Sequence, residues 1–175
     1  MFSTRSRTTL LALLLVVASV AACGGSDSAV ERDTATVERI ADGDTLVLEG
    51  GARIRLVQID APELREGECY AAASARDLAG LARPGIRVAL EADPRLDEVD
   101  RYGRLLRYVY ADSTNVNLEL VRRGAATAFF FRGERGRYAG RLLAATEEAR
   151  SEHRGLWDAC RVSWSPDRQV ETRPR

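Results

Sequence analysis

Apolar and polar residues alternate from residue 34 onward, and this pattern predicts strands before any helix. The run ATVERIADGDTLVLEGGARIRLVQI, residues 35–59, follows the two-residue period of half-buried strands. Asp42-Gly43 and Gly50-Gly51 interrupt the run as turn signals. Shorter alternating runs at 86–92 and 105–111 predict two further strands. The pattern therefore indicates a strand-rich unit built from hairpins.

Helical patterns lie between and after these strands. Three stretches rich in Ala, Leu or periodic apolar positions end at glycine or proline, as helices do: residues 68–83, 116–124 and 137–152. Residues 125–131, AATAFFF, are expected to form a buried strand or extended run, and the polar segment after Cys160 is expected to be loose. Because strands and helices do not alternate regularly, the order favours an α+β fold, a small closed or nearly closed β-barrel with packed helices.

The first residues are typical of an export signal rather than of the folded domain. Arg5 and Arg7 precede the apolar run LLALLLVVASVAAC, whose length of about 14 residues is below the roughly 18–20 that cross a bilayer. The end of this run, VAAC, resembles the bacterial lipobox, in which Cys23 is acylated and becomes the new N-terminus. An ordinary signal peptide with an incidental cysteine is the alternative. The expected organisation is a signal over 1–22, a flexible tether over 23–33, a domain over 34–160 and a polar tail over 161–175.

Charge and cysteine content narrow the function classes once the signal is removed. The 26 basic residues become 24 without Arg5 and Arg7, against 26 acidic ones, so the net charge changes from 0 to −2. The chain lacks the global basic excess common in non-specific nucleic-acid binders, and a polyanion site would have to be a local arginine cluster. Cys69 and Cys160 form an even pair in an exported domain and predict a disulfide, with two free thiols as the alternative. A single histidine and the lack of a CxxC motif disfavour a zinc site.

Four carboxylates stand at the ends of the first predicted strands. Asp42 and Asp44 flank the glycine of DGDT, where turn preference alone could explain them. Asp60 and Glu63 begin and end the motif DAPE. If the strands pair, Asp44 and Asp60 converge at one end of the barrel and repel each other unless a cation lies between them. Oxygen ligands without His or Cys favour Ca²⁺ or Mg²⁺.

Arginines lie close to these acids along the chain. Arg53 and Arg55 share one face of their predicted strand, and Arg104 lies in a charged loop near Tyr102. Two guanidinium groups and a divalent cation would form a phosphate clamp. Glu63 is then the natural group to position or deprotonate an attacking water. Each of these arginines taken alone is more typical of a solvated surface charge, and only their combination with the acids favours a phosphate site.

The combination of motifs resembles the staphylococcal nuclease (thermonuclease) family from Ala35 to Trp157. The resemblance rests on the order and spacing of DGDT, RLVQIDAPE, DRYGRLLRYVY, VNLELVRRG and GLW. It implies a five-stranded OB-fold barrel with three packed helices, and cleavage of DNA and RNA with Ca²⁺. Asp44, Asp60 and the backbone carbonyl of Ala61 are implied as metal ligands. Asp42 is implied as an acid near metal-bound water and Glu63 as the general base.

The resemblance also implies the groups that contact substrate. Arg55 and Arg104 correspond to the two arginines that bind phosphate, and Tyr102 to a tyrosine that contacts a substrate phosphate. Arg101 stands where the family often has lysine. Phe130 replaces a tyrosine that stacks on a base; phenylalanine can still stack but lacks the hydroxyl group.

These residues predict a monomeric, Ca²⁺-dependent nuclease acting on DNA or RNA outside the cytoplasm, held to a membrane through Cys23. Two alternatives stay open. One is a catalytically inactive OB-fold that binds nucleic acid or a protein partner. The other is a structural envelope lipoprotein that uses Ca²⁺ to stabilise its fold.

Overall fold

The computed structural model describes residues 32–175 together with Met1. The predicted signal, the lipidation site Cys23 and nearly all of the tether lie outside the described residues. Within residues 32–175, no helix combines the length and the apolar character that a membrane span requires.

Ten strands make up the β-structure of the described chain. In chain order they are β1 (Asp33–Asp42), β2 (Thr45–Leu48), β3 (Arg53–Leu56), β4 (Ile59–Asp60), β5 (Arg87–Glu91), β6 (Leu105–Ala111), β7 (Thr114–Asn115), β8 (Thr127–Ala128), β9 (Cys160–Ser165) and β10 (Arg168–Pro174). The main sheet runs β3-β2-β1-β5-β6-β7, and parallel pairing of β3 with β6 closes five of its strands into a barrel. The predicted five-stranded OB-fold is confirmed.

The interior of the barrel explains the alternation in the sequence. In the β2–β3 hairpin, Leu46 pairs with Ile54 and Thr45 pairs with Arg55. Leu46, Ile54 and Leu56 are fully buried, and each such side chain contributes about 1.5–3 kcal/mol by leaving water. This register also places Asp44 beside Arg55, because the amide of Leu56 donates to the carbonyl oxygen of Asp44 at 2.9 Å.

Three helices of seven or more residues pack around the barrel, and a short helix of four residues follows them. They are α1 (Ala71–Leu81), α2 (Val116–Arg122), α3 (Ala139–Ser151) and the short α4 (Leu156–Ala159). The predicted helix-ending glycines, Gly124 and Gly155, meet in space. A Cβ on Gly124 would lie 2.1 Å from the carbonyl oxygen of Arg154, so no larger residue fits there. The glycine that ends VNLELVRRG therefore packs against the backbone at the start of GLW.

The C-terminal segment differs from the expectation of a loose tail. β9 and β10 form an antiparallel hairpin, with Thr172 opposite Val162 and Glu171 opposite Ser163. Val170 and Thr172 are buried against the domain. Cys69 and Cys160 form a disulfide, with their Cα atoms 6.1 Å apart, that ties the start of the hairpin to the loop before α1. The prediction of a loose tail is wrong because residues two apart in β10 bury one face of the strand.

Candidate active site

The turn between β1 and β2 lies against α1 and the start of the DAPE loop. A Cβ on Gly43 would come within 2.6 Å of the Cβ of Ser74 and 2.8 Å of the Cβ of Ala61. The glycine of DGDT is therefore required by a close approach of backbone to side chains rather than by a left-handed turn. This contact brings Asp44 next to Asp60.

Arg55 bridges the two aspartates at the end of the barrel. Its Nη2 atom lies 2.9 Å from Oδ2 of Asp44 and 2.8 Å from Oδ1 of Asp60. Its Nη1 atom donates to the carbonyl oxygens of Leu56 and Ile59 at 2.8 and 2.7 Å. Of the five guanidinium donors, only Nε has no partner among the described residues. Arg55, Asp44 and Asp60 are 8%, 3% and 1% exposed, so the triad is enclosed.

Hydrogen bonds fix Asp44 to both neighbouring motifs. Its Oδ1 accepts from the hydroxyl of Thr45 at 2.9 Å, and its Oδ2 accepts from the amide of Ala61 at 3.2 Å. The DGDT turn and the DAPE loop are therefore one rigid unit in which the orientation of the Asp44 carboxylate is set by protein groups.

Asp42 and Glu63 form the half-buried outer part of the same cluster. Oδ1 of Asp42 accepts from the amides of Gly43 at 2.8 Å and Leu64 at 3.3 Å, which holds the DAPE loop to the turn. Burial, a hydrogen bond with Asp42 and the nearby charges of Asp44 and Asp60 raise the pKa of Glu63 to about 7. Burial also raises the pKa of Asp60 to about 6, against the opposing effect of Arg55. The site carries more negative charge than Arg55 neutralises.

The donor set fits a hard divalent cation that uses few protein ligands. Within residues 32–175, no three acidic, histidine or cysteine side chains are grouped closely enough to hold a metal ion by themselves. Asp44 and Asp60 offer carboxylate oxygens, and the buried Ala61 is the adjacent residue that could add a carbonyl oxygen. Ca²⁺ and Mg²⁺ take such oxygen ligands and complete their shell with water. Burial and the like charges of neighbouring carboxylates raise the pKa of Asp60 and Glu63, and a cation placed among these carboxylates would offset their repulsion.

Arg104 reaches the cluster from the loop before β6. Its Nε donates to Oδ2 of Asp100 at 2.6 Å, and its Nη1 lies 3.4 Å from the hydroxyl of Thr45, which in turn bonds to Asp44. Oδ1 of Asp100 accepts from the amides of Tyr102 and Arg104. Although burial opposes it, these bonds lower the pKa of Asp100. Asp100 therefore remains ionised and positions Arg104.

Tyr102 and Arg101 form the open side of the site. Tyr102 is 63% exposed, and the guanidinium of Arg101 lies 4.7 Å from the centre of the Tyr102 ring. Arg101 also donates to the hydroxyl of Tyr102 at 2.5 Å. Both side chains can contact a polyanion in solution without any change in the fold.

Phe130 does not take the place predicted for a base-stacking residue. Its ring is 1% exposed and lies under the guanidinium of Arg135, 4.8 Å from the ring centre. Its amide donates to the carbonyl oxygen of Pro166 in the β9–β10 turn. The prediction is wrong because the C-terminal hairpin covers this residue. The neighbouring Phe131 is 57% exposed instead.

Two groups at the site were not predicted from the sequence. Asp100 begins DRYGR, and an aspartate that caps a following glycine turn is a recognisable signal. The amide of Val170 donates to Oδ2 of Asp60 at 2.8 Å. The only hint of that contact is Ser165-Pro166-Asp167, a turn signal between two short alternating runs.

The carboxylate cluster predicts how stability depends on pH in the presence of a chelator. Folded Glu63 and Asp60 have pKa values of about 7 and about 6, above the roughly 4 of unfolded carboxyls. The folded protein therefore binds more protons, and the free energy of unfolding should fall as the pH rises from about 4 to about 7. Urea denaturation across this range measures the slope, and Glu63→Gln should flatten it. An unchanged slope in Glu63→Gln would contradict the raised pKa of Glu63.

Comparison with known proteins shows that this chain is similar to nucleases along most of its length. The sequence model of the family described as staphylococcal nuclease homologue matches residues 53–159. An uncharacterized endonuclease of Haemophilus influenzae is 33% identical over 153 residues, covering 85% of this chain and 76% of the relative. A micrococcal nuclease of Shigella flexneri is 36% identical over 134 residues, covering 69% and 71%. An uncharacterized endonuclease of Escherichia coli O157:H7 is 40% identical over 125 residues, covering 69% and 74%.

Proposed function

Because the chain belongs to the staphylococcal nuclease family, we propose that it is a Ca²⁺-dependent endonuclease that cleaves DNA, RNA or both at the cell envelope. The chain is a nuclease, a hydrolase of phosphodiester bonds, and nucleic acid is its substrate class. Ca²⁺ dependence, a monomeric state and the envelope location are the finer parts of the proposal.

The observation that carries the proposal is the convergence of five side chains at one end of the barrel. Asp44 and Asp60 lie on either side of Arg55, Arg104 reaches Thr45 beside Asp44, and the charges of both aspartates act on Glu63. Phosphodiester hydrolysis requires neutralisation of the charge that develops on the phosphoryl oxygens, together with a positioned water. This end of the barrel supplies groups for both requirements.

Each side chain has a distinct task in this scheme. Ca²⁺ held by Asp44, Asp60 and the carbonyl of Ala61 would neutralise charge on the phosphate. Arg104, oriented by Asp100, binds a phosphoryl oxygen through its guanidinium group. Glu63 is the group placed to accept a proton from the attacking water, because it lies beside Asp42 at the half-buried edge of the carboxylate cluster.

The compartment is proposed from the cysteines. The Cys69–Cys160 disulfide is typical of proteins that reside outside the reducing cytoplasm. Acylation of Cys23 would attach the chain to a membrane, and residues 24–33 would separate the domain from the lipid surface. The anchor and the exported location rest on the sequence pattern of the first 23 residues.

The enclosed state of the triad is the one observation that favours the alternative, an OB-fold that binds nucleic acid without cutting it. Asp60 is 1% exposed and four donors of Arg55 are occupied by protein groups. A nuclease of this kind must expose these groups during its catalytic cycle.

A cleavage assay separates the two functions. Single-stranded DNA incubated with the protein at mildly alkaline pH should be cut when Ca²⁺ is present and remain intact when a chelator replaces it. Gel retardation of the same DNA in chelator reports binding alone. Binding without Ca²⁺-dependent cleavage would reject the enzyme in favour of the binding module.

A further inference from the structure

The C-terminal strand β10 lies directly against the metal-ligand aspartate. The amide of Val170 donates to Oδ2 of Asp60 at 2.8 Å. Arg55 occupies Oδ1 of the same carboxylate at 2.8 Å. Both oxygens of Asp60 are thus bonded to protein donors. Val170 is 3% exposed and Asp60 is 1% exposed, so the contact is sealed from solvent.

The backbone of β10 is shaped for this contact. β10 pairs with β9 at Arg168 opposite Ser165 and again at Glu171 opposite Ser163, with an irregular register between the two pairs. Val170 lies in this bulge, and its amide points to Asp60 rather than to β9. A bulge redirects an individual backbone or side-chain group in this way, at the expense of one ladder hydrogen bond.

Several bonds hold the hairpin over the site. The hydroxyl of Thr172 donates to the carbonyl oxygen of Cys69 at 2.7 Å, next to the Cys69–Cys160 disulfide. The indole of Trp164 donates to the carbonyl oxygen of Ala128 at 2.9 Å, and Ala128 pairs with Ile59 beside Asp60. The hairpin is therefore attached to the loop before α1 and to β8, which pairs with the strand that contains Asp60.

The opposite side of the site is open, since Tyr102 is 63% exposed and Arg101 is exposed. The residues that match the family end at 159, so the whole hairpin lies beyond them. We propose that β10 is an autoinhibitory strap: the amide of Val170 competes with a divalent cation for the carboxylate of Asp60, and the strap must withdraw before metal and substrate bind. The strap rests on the proposed Ca²⁺-dependent function, which uses the same aspartate.

A single substitution tests the competition. Val170→Pro in the full chain removes the N–H donor at a bulge, where strands tolerate proline. Val170→Ala keeps the donor and shortens the same side chain, so it controls for lost packing. Ca²⁺ affinity measured by titration calorimetry should rise about tenfold in Val170→Pro, the scale of one hydrogen bond to a charged group. The affinity of Val170→Ala should stay near that of the wild type.

Amide hydrogen exchange tests withdrawal in the unaltered protein. Amides of residues 168–172 should exchange slowly in chelator and faster when Ca²⁺ and single-stranded DNA are added. If the amides of residues 168–172 still exchange slowly while Ca²⁺ binds, β10 does not withdraw. The strap proposal is then wrong, and the hairpin is a static part of the site. Equal Ca²⁺ affinity in Val170→Pro and the wild type would also overturn the strap proposal. If neither protein binds Ca²⁺, the proposed Ca²⁺-dependent function fails, and the strap fails with it.

Discussion

Replacing Arg55 with alanine should destabilise the domain by about 3–5 kcal/mol and abolish cleavage as well, because two buried carboxylates lose the cation between them. Arg55 is 8% exposed and lies within 2.9 Å of both Asp44 and Asp60. The cost is large because water cannot replace the guanidinium in an enclosed site. Chemical denaturation in chelator measures the change, since added Ca²⁺ would offset part of it.

Two other arginines provide matched comparisons for this variant. Arg53 lies on the same strand two residues earlier and is exposed, so Arg53→Ala should leave both stability and cleavage near wild type. Arg104→Ala should abolish cleavage with little loss of stability, because the side chain of Arg104 is partly exposed and its partner Asp100 can be hydrated. If Arg55→Ala unfolds at the wild-type denaturant concentration, the triad does not contribute to folding as its burial implies.

Replacing Glu63 with alanine should reduce turnover by about 10²–10⁴-fold, the usual contribution of a general base, while substrate affinity changes little. Glu63 is placed beside Asp42 in the outer part of the carboxylate cluster, where burial and the neighbouring carboxylates raise its pKa to about 7 in the absence of metal. It makes no ion pair with an arginine among the described residues, so its removal should not weaken phosphate binding. Single-turnover cleavage and equilibrium binding of the same DNA separate the two effects.

Glu66→Ala is the control for charge in this loop. Glu66 is exposed three residues further along, and its loss should leave turnover unchanged. If Glu63→Ala loses binding as severely as turnover, Glu63 holds the substrate or the loop rather than the attacking water. Its backbone amide, which donates to Glu68 at 2.7 Å, would remain in place in the variant.

Much of the barrel could be predicted because its determinants are local. Alternation and the glycine turns predict β2 and β3 within a few residues, and the apolar periodicity predicts three helices. The helix boundaries are less local. The predicted 68–83 helix begins only at Ala71, because Tyr70 adopts a left-handed backbone conformation with φ of 73°.

The roles of individual arginines could not be read in the same way. Arg53 and Arg55 share one face of β3 by periodicity, yet one is exposed and the other is enclosed between two aspartates. The difference arises because Arg55 lies where β4 and the DGDT turn close over the strand. The burial of Arg55 depends on segments that are distant along the chain, so the local pattern of apolar and polar residues in β3 does not predict it.

The sequence by itself determined the chemistry of this protein. Spacing places the carboxylates of DGDT and DAPE at strand ends, and the lack of His or Cys among them is the basis for predicting a hard cation. Only the tertiary structure decided which of these side chains solvent and substrate can reach. In the C-terminal hairpin, β10 places a backbone amide on Asp60, and the turn before β10 accepts the amide of the buried Phe130. Every residue except proline carries the same backbone N–H group. The partner of that group is set by the path of the chain, so the type of residue at position 170 does not predict a hydrogen bond to Asp60.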